Sequence, residues 1–133
     1  MKTVQINLTL HPVADAFISS EMLYTNQEGR TFRRRGGFEI LDQTVSRQRL
    51  AVIALRRTLE KLKQPCKVYV TINSHYVWTN AQKLATWQHN TWLNASGKPI
   101  ANAYSWQKLA QAAAGHQVYV MYEDRAFHHL AVA

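Results

Sequence analysis

The chain has 133 residues, 47% of them hydrophobic, with four Trp, six Tyr, four Phe and a formal charge of +8. That balance excludes a disordered chain and suits one domain, residues 1–133, with a sizeable core. The only Cys, Cys66, excludes an intramolecular disulfide and a thiolate zinc site, and no long apolar segment marks a leader or membrane helix, so a cytoplasmic protein with no membrane contact is expected.

Residues 4–10 (VQINLTL) alternate apolar and polar, the period of a strand, until His11-Pro12 breaks it. Residues 16–24 form a weaker strand, Thr25 to Gly29 has turn composition, and residues 31–40 resume extended structure, with Gly36-Gly37 suggesting a bulge or bend. Three antiparallel strands in succession are predicted. Asp42-Gln43-Thr44 offers a helix start, and Val45, Ala51, Val52, Leu55, Leu59 and Leu62 then fall at helical spacing until Pro65 stops the helix.

Val68, Val70 and Ile72 alternate with Tyr69 and Thr71, a further strand that ends at the polar turn Asn73-Ser74-His75. A strand ending in a short polar side chain at a β-to-α turn is where α/β proteins place their chemistry, so Asn73 is the expected centre of any working site. Residues 76–87 read as a short helix that residues 89–92 continue or kink, and residues 94–99 as a loop. Residues 103–114 form a helix with Gly115 as its C-cap, and residues 117–122 are the last clear strand. Residues 123–133 show no clear pattern. No Asp or Glu occurs between Lys61 and Tyr122, and so long a basic stretch attracts polyanions, which makes nucleic acid the expected partner.

Particular words add to this order. LEKLKQPCKVYVTINSHYV, the paired Trp87 and Trp92, Gly97-Lys98-Pro99-Ile100-Ala101-Asn102, Trp106-Gln107-Lys108-Leu109 and His116-Gln117-Val118 resemble, in sequence order, the type 1 ribonuclease H family. The resemblance implies an α/β ribonuclease H-like fold: a mixed five-stranded sheet, three antiparallel strands then two parallel additions, flanked by helices. It also implies a carboxylate cluster that holds two divalent metals for phosphodiester hydrolysis. Carried onto this chain, the strand-one carboxylate falls on Thr9, the first-helix carboxylate on Arg49 and the fourth-strand carboxylate on Asn73. The final Asp belongs to a C-terminal helix with no counterpart before Ala133. Asp15 is a single stray carboxylate and does not hold two metals.

The expectation from these losses is a pseudoenzyme, not an enzyme: a catalytically inactive domain, without metal or cofactor, that binds an RNA/DNA hybrid or duplex through a basic face. The resemblance implies a phosphate pocket from Thr44 and Asn102, opposed by Asp42. The chemistry of a guanidinium and an amide in place of the metal-binding carboxylates makes Arg49 and Asn73 the expected direct phosphate contacts. Arg33 and Arg35 on a strand read either as a phosphate-contacting edge or as charges that keep an edge strand from aggregating. Trp78, Trp87 and Trp92 with Lys83, His89 and Lys98 resemble an aromatic and basic groove, and Trp87 reads better as packing. His128-His129 reads as a polar tail, His11 and His75 as hydrogen-bonding groups, and Cys66 as a small buried hydrophobe. The alternative from another class is a protein–protein interaction or scaffold domain, with a homodimer among its forms.

Overall fold

In strand β1 (Lys2–Leu10) the alternation works as the sequence suggests: Val4, Ile6, Leu8 and Leu10 are each 2% exposed or less. The computed structural model describes residues 1–11, 17–39 and 44–132, so Asp15 and Asp42 lie outside the described residues. Strands β2 (Phe17–Thr25) and β3 (Thr31–Glu39) add antiparallel to β1, joined by a turn in which Asn26 Oδ1 accepts from the amides of Glu28 and Arg30. Strands β4 (Cys66–Ile72) and β5 (Gln117–Met121) run parallel to β1 on its other side.

A sixth strand, β6 (His128–Leu130), pairs antiparallel with β5 and corrects the expectation of five; the order is β3-β2-β1-β4-β5-β6. Three residues are too few for a period to show in sequence, yet Leu130 is 2% exposed and seals the edge of the core. The bulge expected at Gly36-Gly37 is also absent, since Ser20 faces Gly36 and Ser19 faces Gly37 in unbroken register. Glycine serves another purpose there: a Cβ on Gly37 would come within 2.9 Å of the Ile18 carbonyl and of the Phe17 ring.

Helix α1 (Arg47–Leu59) begins later than the Asp42-Gln43-Thr44 start predicted, because Ser46 is its cap and accepts from the Arg49 amide at 3.2 Å. It also ends before Pro65. Lys61 and Leu62 bond three residues back, to Thr58 and Leu59, so the chain tightens out of the α-helix. The single helix predicted at 76–87 is instead α2 (His75–Asn80), a 3₁₀ turn at Ala81–Lys83 and α3 (Leu84–His89). Asn80 accounts for the break, since its side-chain amide donates to the Tyr76 carbonyl at 2.8 Å. Helix α4 (Ala103–Ala113) ends as expected, with Gly115 at φ 86°.

The buried residues of α1, α2 and α4 form one core with the inward residues of β1, β4 and β5, in which fully buried Trp106 is the largest side chain. Cys66 is 1% exposed, and burial pushes its thiol pKa up, the inert small hydrophobe expected. No helix among the described residues is long and apolar enough to cross a membrane.

Candidate nucleic-acid interface at the ends of strands β1 and β4

Strands β1 and β4 are parallel, with Leu8 opposite Ile72, so both end on the same edge of the sheet. Asn73 extends their ladder with its side chain. Its Oδ1 accepts from the Leu10 amide at 2.7 Å and its Nδ2 donates to the Leu10 carbonyl at 2.8 Å. An amide serves both partners, whereas an ionised carboxylate has no proton for the carbonyl. At the start of α1, Arg47 adds Nη2 to the Leu10 carbonyl at 3.2 Å and Nη1 to the His11 carbonyl at 3.5 Å. The end of β1 is therefore held by an amide from β4 and a guanidinium from α1.

The three positions carried over from the carboxylate cluster do not share a hydrogen bond among the described residues. Arg49 turns to α4, where its Nε donates to Ser105 Oγ at 3.2 Å. Thr9 lines a depression of about 380 Å³ with Asn7, Ser19, Ser20, Glu21, Arg35 and Gly36, away from the helices. The cation beside Asn73 is thus Arg47, which sequence reasoning missed. Its helix position was legible, but only the parallel pairing of β1 with β4 shows that it meets the Asn73 clamp.

The remaining expected contacts divide into groups. Asn102, at φ 59°, donates to the Tyr76 hydroxyl at 3.1 Å, and that oxygen also accepts from Trp106 Nε1 at 2.9 Å. This ties Asn102 to the core beside the N-terminus of α4. Trp87 packs edge-on against Trp106 at 5.3 Å, the packing role expected, and Trp92 lies 6.4 Å from Trp87; both are half-buried. Lys83, at the end of the 3₁₀ turn, and Lys98, in the loop before α4, are both exposed, and Thr44 is exposed just before α1.

Arg33 and Arg35 stand apart from these residues. Both flank Glu21 on the outer strands, at 3.5 and 3.1 Å. The hydrogen bond from Arg35, then that from Asn7, holds the Glu21 carboxyl below the usual glutamate range. Trp78 is not a free groove wall: it stacks on His128 at 3.9 Å and its Nε1 donates to the Ala126 carbonyl at 2.9 Å. His128 Nδ1 lies 2.8 Å from the Trp78 carbonyl, so half of the expected polar tail is a packed element.

A pair of divalent cations does not fit these donors. Asn73 and Arg47 occupy the strand end with an amide engaged on both sides and a positive charge, and no group of three His, Cys, Asp or Glu among the described residues could hold a metal.

Comparison with known proteins places this geometry. The RNase H family model matches residues 22–123. Ribonuclease H of Nitratidesulfovibrio vulgaris (strain DP4) is 36% identical over 85 residues, 62% of this chain and 52% of that protein. Ribonuclease H of Halorhodospira halophila is 41% identical over 71 residues, 53% of this chain and 48% of that protein. The chain spans about half the length of the curated relatives it matches. Among solved structures, LC9-RNase H1, a type 1 RNase H with the type 2 active-site motif, superposes with a TM-score of 0.67 at 18% identity, over 92% of this chain and 63% of that one. The foamy viral protease-reverse transcriptase in complex with RNA/DNA hybrid gives 0.64 at 14% identity, over 92% of this chain and 17% of that one. These likenesses agree with the ribonuclease H-like fold. The curated relatives are ribonucleases H, and that finding overturns the expectation of a chain that is not an enzyme.

Proposed function

We propose, for a chain that belongs to the RNase H family, that it engages an RNA/DNA hybrid at the edge of the sheet where β1 and β4 end, in the cytoplasm. Thr44, Arg49, Asn73, Lys83, Trp87, Trp92, Lys98 and Asn102 are the contacts carried from the sequence, and Arg47 joins them. The observation that carries the reading is the guanidinium of Arg47 fixed on the carbonyls of Leu10 and His11 beside the Asn73 clamp. It puts a positive charge at the end of the parallel strands, beside Asn73, which itself lies in an acid-free stretch of sequence running from Lys61 to Tyr122. Backbone phosphates of a duplex suit such a site, since phosphate contacts set register and orientation without reading sequence. The net charge of +8 supports the same partner.

The proposal extends to the relatives' ribonuclease H activity, whose cleavage step needs donors other than the described ones, since these do not fit a pair of divalent metals. Binding and cleavage are measured in one assay, on a hybrid labelled in its RNA strand, over a salt series with Mg²⁺ or Mn²⁺ present. The expected result is preference for hybrid over single strands, with Arg47→Ala weakening binding and lowering the salt slope by about one. Equal affinity for every polyanion, or an Arg47→Ala slope identical to that of the unaltered chain, defeats the proposal.

A further inference from the structure

All described helices contribute to the core on one face of the sheet, and no described element covers the other. On that helix-free face, Arg33, Leu23, Gln5, Tyr69, Tyr119 and His129 stand in register, one from each of the six strands. At about 4.8 Å between strands, the row runs about 24 Å. Its two halves differ in chemistry.

Over β4, β5 and β6 the row is aromatic. Tyr69 and Tyr119 stack at 5.4 Å, Tyr119 and His129 at 4.9 Å, and Phe127 meets Tyr69 edge-on at 5.1 Å. Phe127 is 43% exposed, and His129 ends the column, exposed, on the edge strand. The Lys67 ammonium lies 5.5 Å from the Tyr69 ring centre and 5.8 Å from that of Tyr119, and its hydrogen bond with Tyr69 holds it protonated. Over β1, β2 and β3 the face is mostly polar, with Arg35 lining the depression of about 380 Å³ and Arg33 two residues before it on β3. Glu21 neutralises one of these two guanidiniums.

Rings at one end, cations along the row and a polar trough at the other end suit a chain that carries flat groups on an anionic backbone. A duplex keeps its bases stacked inside and has no use for the rings, whereas a single strand offers both bases and phosphates. We propose that the helix-free face binds single-stranded nucleic acid, its bases against Tyr69, Tyr119, His129 and Phe127 and its backbone directed by Lys67 toward Arg33 and Arg35. This goes beyond the hybrid site at the ends of β1 and β4 and uses none of the residues retained there.

The test is fluorescence anisotropy on the full chain, with a labelled oligouridine of about ten nucleotides, within the site sizes such surfaces take. Phe127→Ala combined with His129→Ala removes exposed rings, and Lys67→Ala removes the cation beside Tyr69 and Tyr119. Each change is expected to weaken the oligouridine by about tenfold while hybrid binding stays within twofold, and Arg47→Ala is expected to do the reverse. Oligouridine affinity that survives all three changes overturns the proposal, as does an equal loss on hybrid. Sedimentation that shows a dimer dissolved by Phe127→Ala with His129→Ala also overturns it, because the face then belongs to a second copy of the chain. Loss of hybrid preference alone strikes only the hybrid reading.

Discussion

On the helix-covered face of the sheet Ile6, Val70 and Val120 are fully buried, whereas Gln5, Tyr69 and Tyr119, one residue away on the same strands, stay partly or wholly in water. The covered face has one use, since its side chains are held by α1 and α4 and changing them costs stability. The other face holds no buried side chain on β1, β4 or β5, so its residues are free to be chosen for contact. The difference shows how a two-residue period separates stability from function within a single strand. Asn73 and Arg47 belong to neither face, since both bond the backbone at the end of β1.

The largest expected effect lies on the covered face. Trp106→Ala should cost about 3–5 kcal/mol in urea unfolding, while Gln5→Ala stays within about 0.5 kcal/mol. Comparable losses would mean that the second face is covered in solution. Tyr76→Phe comes next: it removes the oxygen that accepts from Asn102 and Trp106, and the buried indole N–H left behind should cost about 1–3 kcal/mol by the same measurement.

At the strand end, Asn73→Asp loses the donor to the Leu10 carbonyl, a partly buried bond worth about 1 kcal/mol. Unfolding midpoints of Asn73→Asp and Asn73→Ala compare the clamp with its absence; identical midpoints to the unaltered chain would leave Asn73 without a structural role. The smallest effect is on the open face. Because the folded Glu21 carboxyl titrates below its usual value, its contribution is complete above the unfolded glutamate pKa and is lost as pH falls through the folded one. Glu21→Gln should therefore flatten the acid limb of the stability profile, most visibly at low salt, and an acid limb that keeps its slope would assign that loss to other groups.

Much of this was legible because it rests on local patterns. Val4 to Leu10 and Val68 to Ile72 announce strands through alternation, Gly115 announces a helix end, and short words such as Gly97-Lys98-Pro99 tie the order of elements to a family. Strand β6 and the break at Asn80 were not legible. The first is three residues whose only pattern is a partner in β5, and the second depends on one side-chain amide choosing a carbonyl within its own turn. The candidate site was half legible: Asn73 could be picked from the strand end, while the cation beside it was expected to be Arg49, which the structure turns toward Ser105.

The sequence by itself determined the family, the faces of β1 and β4 that enter the core and the basic character of the chain, because periodicity, composition and short words are properties of neighbours along the chain. Tertiary structure alone decided which residues meet. Leu10 and Asn73 are 63 residues apart and touch only because β1 and β4 pair in parallel. Tyr69, Tyr119 and His129 form one column only because three strands fall into register. Such contacts are set by how the sheet is ordered, a choice that the core makes as a whole and that no single stretch encodes.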